Sequence, residues 1–271
     1  MNISIEKKFN ISICSYNLFW KVMDNNLSPL EIKVGKDNLL KLKKNILKNI
    51  FFIKNYYNPF IFCFQESASY TDILDIFEKN KYDFYLGKSG PEYILTVWRL
   101  NILKKIKMFD GEFELGRPFT IILFEDLRFN LHFILINIHA GHNIDTFKNI
   151  FDPIQKNINN NHKDIKKFNI KRIIIAGDFN RDISNEILNN TNNSNNGYQL
   201  IINSFKYNFY PFISDNKTCC NLNGYGYKQN YDQLIDSYDI PIIIYPLNKE
   251  NWYESKSSDH VAILSIVKNI T

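Results

Sequence analysis

Cysteine is scarce in this chain, and its placement excludes a disulfide scaffold and a thiolate metal site. Of the four cysteines, Cys14 and Cys63 lie inside the strand patterns ISICSYN and FIFCFQE, where a thiol packs as a small hydrophobe. Cys219 and Cys220 are adjacent, and neighbouring cysteines rarely bridge each other; no CxxC or Cys/His ligand spacing occurs. Four free thiols in a reducing compartment are expected. Long apolar runs are missing too: none approaches the ~20 residues that a membrane helix needs. The stretch MNISIEKKFN has no apolar signal-peptide core. A soluble intracellular protein, with no integral membrane association, is therefore expected. No Pro/Gly-rich linker and no internal repeat divides the sequence, so 1–271 reads as a single domain. Charge of one sign is only in mild excess. A net +5 suits an anionic substrate but falls short of the density that by itself implies nucleic acid.

What is present is a large core. Hydrophobic residues make up 45% against 23% charged, which excludes global disorder. Strands are expected at 9–16, 60–64, 84–87, 93–99, 118–124, 131–138, 172–176, 233–235, 240–245 and 261–267. Helices are expected at 37–54, 70–79, 146–160, 185–188 and 198–205, with Ser69 and Asp72 as a capping pair for the second. The polar run NNTNNSNNG at 189–197 reads as a surface loop. Many strands with few helices between them point to an α+β fold of two packed mixed sheets flanked by helices, and away from one doubly wound parallel sheet.

Apolar strand after apolar strand ends in a polar group. Asn17 follows 11–16, Gln65-Glu66 follows 60–64, His139 follows 134–138, and Asp178-Phe179-Asn180 follows 173–177. Ser258-Asp259-His260 stands just before the last strand pattern. Such groups gathered at one sheet rim can hold a divalent cation and hydrolyse a phosphate ester. A hard cation wants oxygen ligands and keeps several waters, so one or two carboxylates suffice. Glu66 is the first metal ligand expected, Asn17 a neutral oxygen donor beside it, and Asp259 the carboxylate on the far side. The alternative for Glu66 is an exposed carboxylate past a strand end. With only five histidines, His139, His142 and His260 are the candidates for acid–base work, while His132 and His162 lie in surface-like contexts. Asp178 could orient the attacking water and Asn180 could donate to a phosphoryl oxygen, with Gly177 permitting close backbone approach. Asp and Asn are also ordinary turn formers.

In this order, the pieces SYN (15–17), QE (65–66), HAG (139–141), GDFN (177–180), YD (231–232) and SDH (258–260) resemble the endonuclease/exonuclease/phosphatase superfamily of metal-dependent phosphoesterases. The resemblance implies a four-layer α/β/β/α sandwich with Mg²⁺, or Mn²⁺ as a substitute, at the sheet rim. It assigns Asn17, Glu66 and Asp259 to the metal side. Asp178 and Asn180 become the water-orienting and phosphate-binding groups, and His139 and His260 the histidine pair. Two further stretches look like the pancreatic-type deoxyribonucleases. Glu92, opening EYILTVWR, matches the carboxylate partner of the first histidine, and Arg117, opening RPFTIILFE, matches a phosphate-contacting arginine. Asp232 then matches the carboxylate partner of His260. The rim constellation, with Arg117 and the mildly basic balance, leads to the expectation of a Mg²⁺-dependent phosphodiesterase acting on nucleic acid, DNA or RNA, as an endonuclease. A phosphatase or diesterase on phosphoinositides or phospholipids, with Trp252-Tyr253 as its apolar loop, is the alternative, and a non-catalytic binding module on the same fold is a third.

Overall fold

Side-chain alternation along each strand decides what meets what. The computed structural model describes residues 10–23, 36–142, 148–181, 199–211, 218, 231–237, 242–246, 260 and 262–267. In chain order come β1 (Ile11–Asn17), α1 (Trp20–Met23), α2 (Lys36–Tyr56), β2 (Ile61–Gln65), α3 (Tyr70–Leu74), β3 (Tyr82–Ser89) and β4 (Glu92–Arg99). Next are β5 (Leu103–Glu112), β6 (Pro118–Asp126), β7 (Leu131–His139), α4 (Lys148–Asn160), α5 (His162–Ile165) and β8 (Ile170–Asp178). The last are β9 (Gln199–Ile202), β10 (Phe205–Asn208), β11 (Tyr210–Pro211), β12 (Asp232–Asp236), β13 (Ile242–Pro246) and β14 (Ile263–Val267).

Two six-stranded sheets form, in the orders β13-β14-β1-β2-β4-β3 and β11-β12-β8-β7-β6-β5. Each has one parallel pair at its centre, β1 with β2 and β7 with β8, and antiparallel neighbours outside it. The inward positions of the two sheets, among them Ile13, Ile61, Cys63, Trp98, Phe124, Leu135 and Ala176, are buried together. The alternate positions Phe62 and Phe64 pack under Ile46, Ile50 and Ile53 of α2. Ile134, Ile136 and Ile173 pack under Ile150, Ile154 and Ile158 of α4, which recur every four residues along one helix face. The result is the helix–sheet–sheet–helix layering, and each such buried aliphatic side chain stabilises it by roughly 1.5–3 kcal/mol.

Local expectations needed four corrections. The segment 198–205 is not a helix: β9 and β10 pair as a hairpin, with Asn203 at φ 53° and Ser204 at φ 68°. Two successive positive φ values are the geometry of the tight turn that matches strand twist. Strand β5 was not anticipated, because its LKKIKMFDGE sequence lies on a sheet edge and is largely half-exposed. Helix α3 is short, running Tyr70–Leu74 and ending at Leu74 instead of 79. Ser69 does not cap it: its hydroxyl bonds Met23 O and accepts from Lys43 Nζ at 2.8 Å, and Asp72 instead pairs with Lys43 at 2.7 Å. The short helix expected at 185–188, the loop at 189–197, and Cys219, Cys220, Trp252 and Tyr253 lie outside the described residues. Cys14 and Cys63 are buried free thiols, and burial pushes both thiols up, which makes them unreactive.

Candidate active site

The parity that builds the core also builds the site. Asn17, Gln65, His139 and Asp178 are the last residues of the four central parallel strands, and all are buried. Glu92 and Asp232 open the antiparallel neighbours β4 and β12, so they meet the same rim from the other direction. Register confirms the gathering: Asn17 lies opposite Gln65, and Asp178 lies between His139 and Asp232. Glu66 follows β2 and by simple alternation would face the helices. Its φ of 56° breaks the alternation and turns its carboxylate to Asn17, whose Nδ2 donates to Oε1 at 3.1 Å. Phe19 at φ 63° and Asn180 at φ 52° show the same left-handed backbone just past β1 and β8. Such conformations cost of order 1–3 kcal/mol for residues other than glycine, and they cluster at this rim.

Two histidine–carboxylate pairs converge on one aspartate. His139 Nδ1 bonds Glu92 Oε1. His260 Nδ1 bonds Asp232 Oδ2 at 2.8 Å. In both rings Nδ1 is held by a carboxylate, so Nε2 is the atom turned to the site, 3.6 Å and 3.7 Å from Asp178 Oδ2 respectively. That same oxygen accepts from Asn17 Nδ2 at 2.8 Å, while Asp178 Oδ1 accepts from the Asn180 N–H at 2.8 Å. His139 Nε2 is also 3.5 Å from Glu66 Oε1. Arg117 Nη1 donates to Glu92 Oε2 at 3.2 Å and lies 3.0 Å from His139 Nε2. Asn180 Nδ2 donates to Ala140 O at 2.7 Å, which ties the turn after β8 to the end of β7.

Burial and charge set the protonation states. For His139 burial is the largest influence and opposes the cation, but Glu92, with Glu66 and Asp178 behind it, outweighs burial and raises the pKa. For Asp178 burial again leads and pushes upward; His260, His139, the Asn180 N–H and Asn17 together hold the carboxyl below its usual range. Burial dominates at Glu92 and raises it against the pull of His139. Burial likewise pushes Asp232 up to about 6, against the opposing attraction of His260.

The structure thus brings together Asn17, Glu66, Glu92, Arg117, His139, Asp178, Asn180, Asp232 and His260; Asp259 lies outside the described residues. The Asn17 amide is oriented by the Phe19 N–H, which Oδ1 accepts at 3.0 Å, so Nδ2 braces the two carboxylates. The rim's oxygen-rich donor set, Glu66 beside Asp178, fits a hard cation. Asp178, Asp232 and His260 also have ligand atoms within 4.8 Å of one another. Sequence reasoning missed the layer beneath. Gln65 Nε2 donates to Asn137 Oδ1 across the two sheets at 2.8 Å, and Asn137 Nδ2 donates to Thr96 Oγ1 at 3.1 Å and Leu95 O at 3.2 Å. The available signal was a polar residue at an inward position of an apolar strand. His142, the third histidine candidate, stands beside this site. It lies in the field of Arg117, Asp178, His139 and Glu66, and burial first, then Arg117, lowers its pKa.

No family model matches the chain. An uncharacterized protein of Acanthamoeba polyphaga mimivirus is 30% identical over 180 residues, 60% of this chain and 30% of that protein. The chain therefore spans about 30% of the length of that curated relative. Among solved structures, an endonuclease/exonuclease/phosphatase family protein from Bacteroides thetaiotaomicron is similar with a TM-score of 0.67 at 15% identity, covering 98% of this chain and all of that one. A 2′,3′-cyclic phosphatase, ANGEL2, in complex with adenosine-2′,3′-vanadate is similar with a TM-score of 0.68 at 13% identity, covering 97% and 96% of the two chains. The chain has the endonuclease/exonuclease/phosphatase fold, two packed mixed sheets with flanking helices. No helix among the described residues is long and apolar enough to cross a membrane.

Proposed function

We propose that this chain is a Mg²⁺-dependent phosphoesterase, and specifically an endonuclease that hydrolyses phosphodiester bonds of DNA or RNA. The observation that carries the reading is the convergence of the Glu92–His139 and Asp232–His260 pairs on Asp178, with Glu66 alongside. Glu66, braced by Asn17, would hold the cation, with Asp259 contributing by resemblance; Mn²⁺ meets the same oxygen preference. The bound ion would polarise a phosphoryl oxygen and acidify water. The residues of the chain do the rest. Asp178, kept ionised, accepts a hydrogen of the attacking water and sets its direction. His260 Nε2, with its tautomer locked by Asp232, delivers the proton that the departing oxygen needs. His139 and Arg117 place N–H donors and positive charge where phosphoryl oxygens sit, and Asn180 adds an amide donor.

Nicking of supercoiled plasmid in Mg²⁺, and its loss in EDTA, tests this reading. Glu66→Ala and His260→Ala proteins that nick at the wild-type rate would refute the site. A second reading keeps the chemistry and changes the substrate. The similar fold of the 2′,3′-cyclic phosphatase supports a phosphatase on smaller phosphate esters. A panel of oligonucleotides, cyclic phosphates, inositol phosphates and phospholipids at equal concentration separates the two. Both complete histidine–carboxylate pairs weigh against a retired, binding-only fold.

A further inference from the structure

The end of the sandwich remote from the rim carries a second polar pocket. It is a concavity of about 510 Å³, open to solvent, where α2 ends and β4 runs out. Glu92 opens β4 at the rim and Arg99 closes it at the pocket. Seven steps of about 3.3 Å separate the two by roughly 23 Å.

Three cations line this pocket, Lys54, Lys81 and Arg99, against one carboxylate, Glu78. Three positive charges less one negative leave the wall at +2. Lys54 is fixed in place. Its side chain is 7% exposed, and Nζ donates to Glu78 Oε2 at 2.7 Å and to Ile76 O at 2.8 Å. The ammonium also sits about 6 Å from the ring centres of Phe51, Phe77 and Tyr82. Glu78 is shared with Lys81, 3.6 Å away. The hydrogen bond from Lys54 leads the influences that hold the Glu78 carboxyl below its usual range, so it stays ionised. Arg99 stacks on Phe60 at 5.7 Å and has no carboxylate within ion-pair distance among the described residues. Asn55, Asn58, Asn80 and Asn101 complete the wall, and none of their side-chain amides makes a hydrogen bond among the described residues.

A cation would be repelled from such a wall. An apolar ligand would leave its amides and guanidinium without partners. An oxyanion meets N–H donors and fixed charge from several directions, and an unpaired guanidinium fork suits phosphate best. We propose that this pocket is a second anion site, distinct from the rim, that takes the phosphate group of a phosphorylated ligand. The volume accommodates a mononucleotide-sized molecule. A nucleic-acid backbone reaching this end of the molecule presents the same chemistry.

Calorimetric titration of metal-free protein with inorganic phosphate, adenosine monophosphate and a single-stranded 12-mer tests the proposal. An Arg117→Ala background weakens phosphate binding at the rim, where His139 and Asn180 remain as donors. In that background a phosphate site that responds to the remote pocket is expected, and adding Arg99→Ala or Lys81→Ala weakens it at least tenfold. Lys81, with a side chain 64% exposed, can be removed without threat to folding, and thermal melts check both variants. Mononucleotide binding tighter than phosphate, with no further gain from the 12-mer, identifies a free phosphorylated ligand. A tighter 12-mer whose affinity falls steeply with salt identifies a backbone. Phosphate binding unchanged by both added substitutions, or absent from the Arg117→Ala protein, overturns the site.

Discussion

At the scale of single residues, the two histidine pairs are alike in geometry, and burial raises the acid of each. Burial raises the Asp232 pKa from 3.8 to about 6, so the folded state binds this proton more tightly than the unfolded state. The sign follows: this group's contribution is most favourable below about pH 4 and is lost as pH rises through about 6. Asp232→Asn removes a charge that is costly to bury, and it also removes the carboxylate that fixes His260. At pH 7.5 the metal-free variant should melt no lower than the wild type, yet turn over about 10²-fold more slowly. A melt clearly below wild type would show that Asp232 mainly supports the fold. His139 carries the complementary case. Its pKa is raised against burial chiefly by Glu92, so its stabilisation is present below 6.5 and lost as pH climbs through the raised value. Glu92→Gln should move the His139 titration downward in an NMR pH series of metal-free protein. An unmoved titration would reassign the raised pKa to Glu66 and Asp178.

At the scale of elements, what the sequence revealed depended on how regularly each strand alternates. The central strands β1, β2, β7 and β8 are buried on both faces, and their aliphatic runs ended within two residues of where the polar groups begin. β5 escaped notice because an edge strand need not be apolar, and charged residues such as Lys104 and Lys107 protect it. The β9–β10 hairpin was hidden by its turn, Asn203-Ser204, where Asn-Gly is the usual signal. Glycine sharpens the same point. Gly177 has φ 146°, and a Cβ there would lie 2.1 Å from Ile138 O of the paired strand. Backbone cannot step aside, so Gly177→Ala should destabilise by about 3 kcal/mol or more in urea unfolding. At Gly141 the nearest atoms to an added Cβ belong to the flexible Glu114 side chain, the closest its Oε1 at 1.9 Å. That side chain can swing away, and Gly141→Ala should be nearly neutral. Equal losses at the two positions would contradict this account.

At the scale of the whole molecule, the layered fold and the rim were legible because one physical rule produces both. Period-2 alternation buries one face of the central strands between the two large sheets, and it brings the strand-end groups of that face to a single edge. The cross-sheet bond from Gln65 to Asn137 was not legible, since it depends on how two separate sheets stack. The rim's concentration of acids has a consequence for the entire chain. Glu66 and Asp178 lie close enough to share Asn17 Nδ2, and in the absence of a cation their like charges oppose folding. A cation that binds only the folded arrangement relieves this repulsion and adds its binding energy to stability. At a hundred times its dissociation constant, that linkage is worth about 2.7 kcal/mol. The melting temperature should therefore rise with Mg²⁺ concentration and return to the metal-free value in EDTA. Glu66→Gln removes both the proposed ligand and one of the repelling charges. The variant should match or exceed the wild type without metal and gain little when Mg²⁺ is added. A wild-type-sized Mg²⁺ response in Glu66→Gln would place the cation elsewhere, with Asp178, Asp232 and His260 as the next cluster to substitute.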